Sequence, residues 1–177
     1  RTVLFVSHNM AAVRSLCTRG VMLKNGTIDY IGSIPNTLDH YLKDDDGKQD
    51  ELIINNLQWK KYTIKIKNIE INNTPKSRSI VKNGQKSLEL LIEGDTEEDM
   101  NYDIMMIFKS KEGVPLAAYA KGHYMGTIQH LPKGEFKIHK TIILPDILTK
   151  GAVTIDLYIH HPMVEYYIKA PNCCILL

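Results

Sequence analysis

The chain has 177 residues, of which 44% are hydrophobic, and its 22 basic and 20 acidic side chains leave a net charge of +2. A chain of this length and apolar content can bury a sizeable core in one or two domains, and so balanced a charge indicates no nucleic-acid-binding surface. Its apolar runs are far shorter than the ~20 residues of a membrane helix. Three cysteines, without a zinc-binding spacing, favour a reducing compartment and no metal site.

The chain opens with a predicted strand, a polar tip and a helix. Residues 3–6 are a continuous apolar run of the kind found in buried strands of α/β sheets, and Ser7, His8 and Asn9 follow it. A helical spacing comes next, carried by Met10, Val13, Leu16 and Cys17. Open α/β sheets place ligand chemistry at such strand ends, so His8 is a candidate catalytic residue. The alternative for a lone histidine is a structural hydrogen bond.

These residues resemble the end of an ABC-transporter ATPase domain. The resemblance rests on residues 2–10, on the Lys-Asn-Gly turn at 24–26 and on the His-Tyr-Leu end of a short helix at 40–42. It implies that His8 is the switch histidine, which contacts the γ-phosphate of ATP in a parent protein that uses ATP and magnesium. The sequence contains no P-loop string, no Leu-Ser-Gly-Gly signature and no strand ending in Asp-Glu. We therefore expect residues 1–42 to be a catalytically inactive remnant that needs no cofactor.

A charged linker separates this first unit from a second one. Residues 43–56 begin with a polar run that contains a glycine, and residues 57–177 show short alternating segments between turn sequences. Many short strands with little helical periodicity predict a mainly β domain, an antiparallel Ig-like β-sandwich. The predicted strands are 62–71, 87–92, 102–108, 115–119, 136–144, 153–159, 165–168 and 173–177. A change of alternation near Asn68 predicts a β-bulge, and residues 145–149 predict one helical turn.

One predicted strand presents polar groups suited to a sugar. Val153, Ile155, Leu157 and Ile159 share the parity expected for the core. Asp156, Tyr158 and His160 then share the outer face with Thr154. An aromatic ring can stack on the C–H face of a pyranose while polar neighbours hydrogen-bond its hydroxyls, so these are candidate carbohydrate-binding residues. The alternative is an ordinary solvated strand face.

A second candidate cluster contains Tyr119, His123 and Tyr124. These rings surround Gly122, and a glycine lets the backbone approach a neighbour or ligand closely. We take all three as further candidate carbohydrate-binding residues. The alternative is that the two tyrosines are half-buried residues at a sheet edge.

The whole arrangement resembles the Wzt-type subunits of bacterial polysaccharide exporters. An ATPase end, a charged linker and a sandwich with the segments 134–136, 142–145 and 148–151 carry the resemblance. It implies a non-catalytic carbohydrate-binding module that recognises the non-reducing end of a lipid-linked O-antigen polysaccharide. It further implies a homodimer at the cytoplasmic face of the bacterial inner membrane, in contact with a transmembrane permease through the parent ATPase. We expect residues 173–177 to form an exposed strand that pairs across that dimer.

Two other functions fit the same sequence. The sandwich can be a dimerisation or regulatory domain that binds no sugar. It can also serve a teichoic-acid exporter, in which case the basic residues Lys121, Lys137 and Lys140 are expected to contact a phosphate-rich polymer. A glycan-cleaving enzyme is the least expected function, because no paired carboxylates share one recognisable site.

Overall fold

The computed structural model describes residues 3–7, 10–44, 51–81, 85–110, 113–145, 148 and 153–177. His8 and most of the predicted helical turn at 145–149 lie outside the described residues. The helices are α1 (Met10–Leu16), α2 (Ile34–Asp44) and α3 (Lys121–Met125), and a 3-10 turn covers Ile53–Asn56. The strands are β1 (Arg19–Lys24), β2 (Thr27–Ser33), β3 (Trp59–Lys60), β4 (Ile64–Ile71), β5 (Arg78–Ser79), β6 (Ser87–Thr96), β7 (Met100–Lys109), β8 (Pro115–Tyr119), β9 (Gln129–Leu131), β10 (Gly134–Ile143), β11 (Val153–His161) and β12 (Glu165–Leu176).

The first unit is a hairpin with two short helices. Strands β1 and β2 pair antiparallel through a turn in which Asn25 and Gly26 both have positive φ, of 51° and 80°. Such angles match the right-handed twist of a two-residue hairpin, which the Asn-Gly sequence favours. The predicted strand at 3–6 does not form, and Val6 is 97% exposed. A doubly buried strand needs neighbours on both sides, and the described part of the chain supplies none for this run.

The second unit is an antiparallel β-sandwich, as predicted. Strands β10, β6 and β4 form a three-stranded sheet, and β3, β12, β11, β7 and β8 form the larger sheet, to which β5 and β9 add short edge pairings. One apolar core lies between the two sheets. Alternate residues of each strand supply this core, which is why the strands read as period-two patterns in the sequence. The expected core residues of β11 are all buried in it: Val153, Ile155, Leu157 and Ile159.

Two details refine the predicted organisation. The register of β4 against β6 shifts between Ile66 and Asn68, so the predicted bulge is present. Ile53, in the segment expected to be a linker, is fully buried in the sandwich core. An apolar side chain from this segment therefore belongs to the core. The charged residues that precede it in the sequence suggest a solvent-exposed linker instead.

The last strand differs from its prediction. The two expected segments at 165–168 and 173–177 form one strand, β12, whose register against β11 shifts twice. Its final residues are not an exposed edge, because Ile175 and Leu176 also pair in parallel with Arg78 and Ser79 of β5. A homodimer stays a prediction, and this strand end already has a partner on each side.

Candidate functional site

A groove of about 660 Å³ lies on the outer face of the larger sheet. Its floor is formed by outward-facing residues of β7 and β11, and its walls by β8, α3 and the turn between β11 and β12. The lining residues are Met105, Ile107, Pro115, Leu116, Ala117, Ala118, Ala120, His123, Tyr124, His160, His161, Met163, Val164, Glu165 and Tyr166. A volume of this size is typical of sites for small or oligomeric ligands.

The groove brings together three of the six predicted binding residues. His160 comes from the outer face of β11, and His123 and Tyr124 come from α3, about forty positions earlier in the chain. The structure therefore joins residues from both clusters seen in the sequence. The rings of His123 and Tyr124 meet edge-on and those of His160 and Tyr166 are stacked, and we call the part of the groove that these four rings line its polar end. Most of the other lining side chains are aliphatic or methionine side chains.

A buried carboxylate of β7 helps to hold helix α3 over the sheet. Asp103 of β7 is buried, and its Oδ2 accepts a hydrogen bond of 2.9 Å from the backbone N–H of His123. A Cβ on Gly122 would lie 2.6 Å from the Asp103 Cγ, so only glycine permits this approach. Gly126 ends the helix with φ of 66°. The close approach expected at Gly122 is thus to a neighbouring strand of the chain.

The ring of His160 is stacked on Tyr166. Their centroids are 5.6 Å apart, and the planes differ by 25°. His160 is 6% exposed, and burial lowers the pKa of its imidazole. Neutral imidazole can either donate or accept a hydrogen bond, according to its tautomer. His160 is therefore a neutral hydrogen-bonding group at the polar end of the groove.

Tyr158 lies beside the groove and supports it. Its ring meets that of Tyr166 edge-on at 5.8 Å, and its hydroxyl donates to Asp156 Oδ2 at 3.4 Å. Burial, together with the Asp156 charge, raises the pKa of Tyr158 to about 12. The Lys169 ammonium lies 4.1 Å from the centroid of the Tyr166 ring. Tyr166 is thereby held between several groups and presents a fixed ring to the groove.

Two predicted binding residues are placed elsewhere. Asp156 forms an ion pair of 2.6 Å with Lys109 and accepts the backbone N–H of Asn172 at 2.7 Å. Tyr119 pairs with Met106 in the β7–β8 register and packs against the sandwich core. Neither residue is among those that line the groove.

The apolar half of the groove is absent from the sequence prediction. Met105 and Ile107 face it from β7, while Ile104, Met106 and Phe108 of the same strand fill the core. A strand with apolar residues on both faces indicates that its outer face is covered as well as its core face. Residues 104–108 are apolar at every position, so the sequence contains this indication. The sequence gives no comparable indication of the role of Tyr166, because its contact with His160 depends on the register of β12 against β11.

The comparisons with known proteins support the fold alone. No protein-family model matches the chain, and no curated protein sequence matches it significantly. Among solved structures, the C-terminal domain of Wzt is similar with a TM-score of 0.51 and 14% identity, over 67% of this chain and 74% of that one. A Niemann-Pick type C2 protein from the Japanese carpenter ant has a TM-score of 0.47 and 15% identity, over 68% of this chain and 97% of that one. The chain has a Wzt-like β-sandwich fold.

No helix among the described residues is both long and apolar enough to cross a membrane. Likewise, the described residues contain no group of three or more acidic, histidine or cysteine side chains placed to hold a metal ion.

Proposed function

We propose that this chain is a non-catalytic carbohydrate-binding module whose groove holds the non-reducing end of a polysaccharide. The observation that carries the proposal is the cluster of rings from His123, Tyr124, His160 and Tyr166 in a groove to which β7 adds the apolar side chains of Met105 and Ile107. Sugars present both hydroxyl groups and apolar C–H faces, so a site with hydrogen-bonding rings and aliphatic surface suits them. The similarity to Wzt in fold and the sequence resemblance favour a lipid-linked O-antigen as the polymer.

The proposed setting follows from the sequence resemblance. The parent protein is then an ABC-transporter ATPase, paired as a homodimer and joined to a transmembrane permease at the inner face of the bacterial inner membrane. His8 is the switch histidine of that ATPase. In this setting the groove selects finished polymers for export, and the ATP chemistry takes place in the parent's nucleotide-binding domain.

The single carboxylate in the described lining of the groove favours binding over hydrolysis. Glu165 is the only carboxylate among the described lining residues, and its Oε1 accepts a hydrogen bond of 3.0 Å from Lys61. Glycoside hydrolysis ordinarily requires two carboxylates that flank the scissile bond. A residue already engaged by a lysine is a poor candidate for either role.

The basic residues give less support to a phosphate-rich polymer. Lys137 lies on β10 in the other sheet and pairs with Glu93 at 2.8 Å. Lys140, on the same strand, donates to Gln129 Oε1 at 2.7 Å. Lys121 is exposed on α3 but is not among the residues that line the groove. These three lysines therefore do not form one anion-binding surface at the groove.

Saturation-transfer NMR tests the proposed function. The probe is the surface polysaccharide of the source organism, used with and without its non-reducing terminal residue. We expect saturation transfer to the protons of the terminal residue in the intact polymer and a loss of signal after that residue is removed. If the folded protein gives no saturation transfer with either polymer, the result would instead favour a dimerisation or regulatory domain that binds no sugar.

A further inference from the structure

One nitrogen at the polar end of the groove has no hydrogen-bond partner. The Nε2 atom of His160 is buried, and no described residue lies within hydrogen-bonding distance of it in a suitable geometry. A buried polar atom without a hydrogen-bond partner lowers the stability of the folded protein, because the atom has lost its hydrogen bonds to water. His160 is one of the residues that line the groove, so we take a ligand group at this end as the source of the missing bond.

The surroundings of His160 determine its charge. The titratable groups around it are Asp103 on β7, His123 and Tyr124 on α3, His161 on β11, and Glu165 and Tyr166 on β12. Burial is the largest influence and lowers the pKa of His160, and the neighbouring imidazoles of His123 and His161 act in the same direction. Asp103 opposes them, but its carboxylate is already engaged by the backbone N–H of His123. The imidazole is therefore uncharged at neutral pH.

We propose that His160 Nε2 hydrogen-bonds a hydroxyl of a neutral sugar, and that the groove binds this sugar only while the imidazole is uncharged. This inference rests on the proposed function and narrows its ligand class. An acidic sugar, such as a uronic acid, would pair with the protonated imidazole and would bind more tightly in acid. The hydroxyl of a neutral sugar forms no ion pair with the protonated imidazole. Covering that charged ring with the ligand would also remove water from the charge, which is unfavourable.

The sign of the pH dependence separates the two ligand classes. The folded protein holds the His160 pKa below its ordinary value, and binding of a neutral sugar lowers it further by covering the ring. Affinity is then constant at neutral and higher pH and falls as the pH drops through the His160 pKa of the free protein. Below that pKa the fall is about tenfold per pH unit.

Calorimetric titration between about pH 5 and about pH 8 tests the proposal. The probe is the mixture of oligosaccharides released by mild acid from the surface polysaccharide of the source organism. We expect wild-type affinity to fall in acid and the pH dependence to disappear in His160→Gln, which keeps a hydrogen-bonding group but does not titrate. His139→Asn is the control, because His139 is an exposed histidine on β10 that pairs with Glu89 at 3.0 Å.

His160→Phe separates binding from stability. The variant keeps a ring of similar shape but removes the unpaired nitrogen, so its Tm rises by about 2–4 °C while its affinity at neutral pH falls about tenfold. A histidine with only a structural role would lose stability together with affinity. Opposite signs for the two measurements are therefore specific to the proposed role.

Three outcomes would overturn the proposal in distinguishable ways. Binding that strengthens in acid would show that the ligand is an acidic sugar. A His160→Gln variant with the wild-type pH profile would assign the dependence to another group. In both cases the groove still binds a glycan, and only the role of His160 fails. No binding by the folded protein at any pH would overturn the proposed function and, with it, this inference.

Discussion

Asp156 is an outward-facing carboxylate that stabilises the sheet. Its side chain and that of Lys109 are only 8% and 14% exposed, and the two are joined at 2.6 Å. Its Oδ1 also accepts the backbone N–H of Asn172, at the place where β12 changes register. The carboxylate therefore joins β7, β11 and β12 beside the groove.

We expect Asp156→Ala to lower the free energy of unfolding by about 3–5 kcal/mol, because it leaves Lys109 buried without a counter-charge. Urea denaturation followed by circular dichroism measures the change. The control is Lys137→Ala, which removes a solvent-exposed ion pair with Glu93 and should lower the stability far less than Asp156→Ala does. Equal small losses for both variants would contradict the structural role of Asp156.

His123 contributes its backbone to the fold and its side chain to the groove. Only the backbone N–H bonds Asp103, so His123→Ala should leave Tm nearly unchanged while weakening polysaccharide binding about tenfold or more. Saturation-transfer titration and a thermal melt measure the two effects. Tyr119→Phe is the matched control, since Tyr119 packs against the core and should not change binding. Wild-type affinity in the His123 variant would show that the ligand lies elsewhere.

For single residues, the sequence predicts the strand face on which a side chain lies better than it predicts what the side chain does there. Alternation along 153–160 separates the core residues of β11 from those facing outward, because a strand has a strict two-residue period. It cannot separate Asp156 from His160, which share one face. The difference arises from Lys109 and Asn172, which are remote in sequence and meet Asp156 only when three strands pair.

Helix α3 forms one wall of the groove on the outer face of the larger sheet. It is only five residues long, and such a helix has little stability of its own. Its position depends on the contact of Gly122 with Asp103 and on the αL conformation of Gly126. The groove therefore depends on a short element that tertiary contacts hold in place.

Gly122→Ala tests this dependence. The added Cβ would lie 2.6 Å from the Asp103 Cγ, so either α3 or the carboxylate must move. We expect a loss of about 1–3 kcal/mol in unfolding free energy and weaker polysaccharide binding, measured by denaturation and by saturation transfer. Lys121→Ala on the same helix is the control and should change neither. Unaltered binding in Gly122→Ala would mean that the ligand does not contact α3.

Most strands of the sandwich are predictable from the sequence. The neighbours with which each strand pairs are harder to predict. Strand β8 occupies the predicted residues, and the bulge in β4 is foreseen from its change of alternation. The apolar run at 3–6 carries an equally strong strand signal but forms no strand, since a strand also requires a neighbour. The end of β12 was expected at an exposed edge, and its pairing with β5 depends on contacts that local pattern does not encode.

At the scale of the whole molecule, one core holds the two sheets together. Its residues come from strands throughout 64–176 and from Ile53. Cys173 and Cys174 of β12 are both buried, although they are adjacent in sequence. Burial raises the pKa of the Cys174 thiol to about 12 and holds that of the Cys173 thiol well above its ordinary value. Both thiols are thus protonated and inaccessible in the folded protein.

Thiol labelling reports this packing directly. At about pH 8 we expect an aromatic disulfide reagent to react rapidly with Cys17, which is partly exposed, and slowly with the other two cysteines. The slow reactions should have the urea dependence of global unfolding, because β12 lies inside the larger sheet. Rapid labelling of all three thiols without denaturant would contradict the described position of β12.

The central claim is that the groove on the larger sheet is the glycan site, and methionine methyl NMR tests it most directly. With ¹³C-labelled methionine methyl groups, addition of the source organism's polysaccharide should shift the signals of Met105 and Met163, which line the groove. The signals of Met22 in β1 and of Met100, which is buried in the sandwich core, should stay unchanged. Shifts at Met22 alone, or at no methionine in spite of measurable binding, would contradict the claim and place the polysaccharide on another surface.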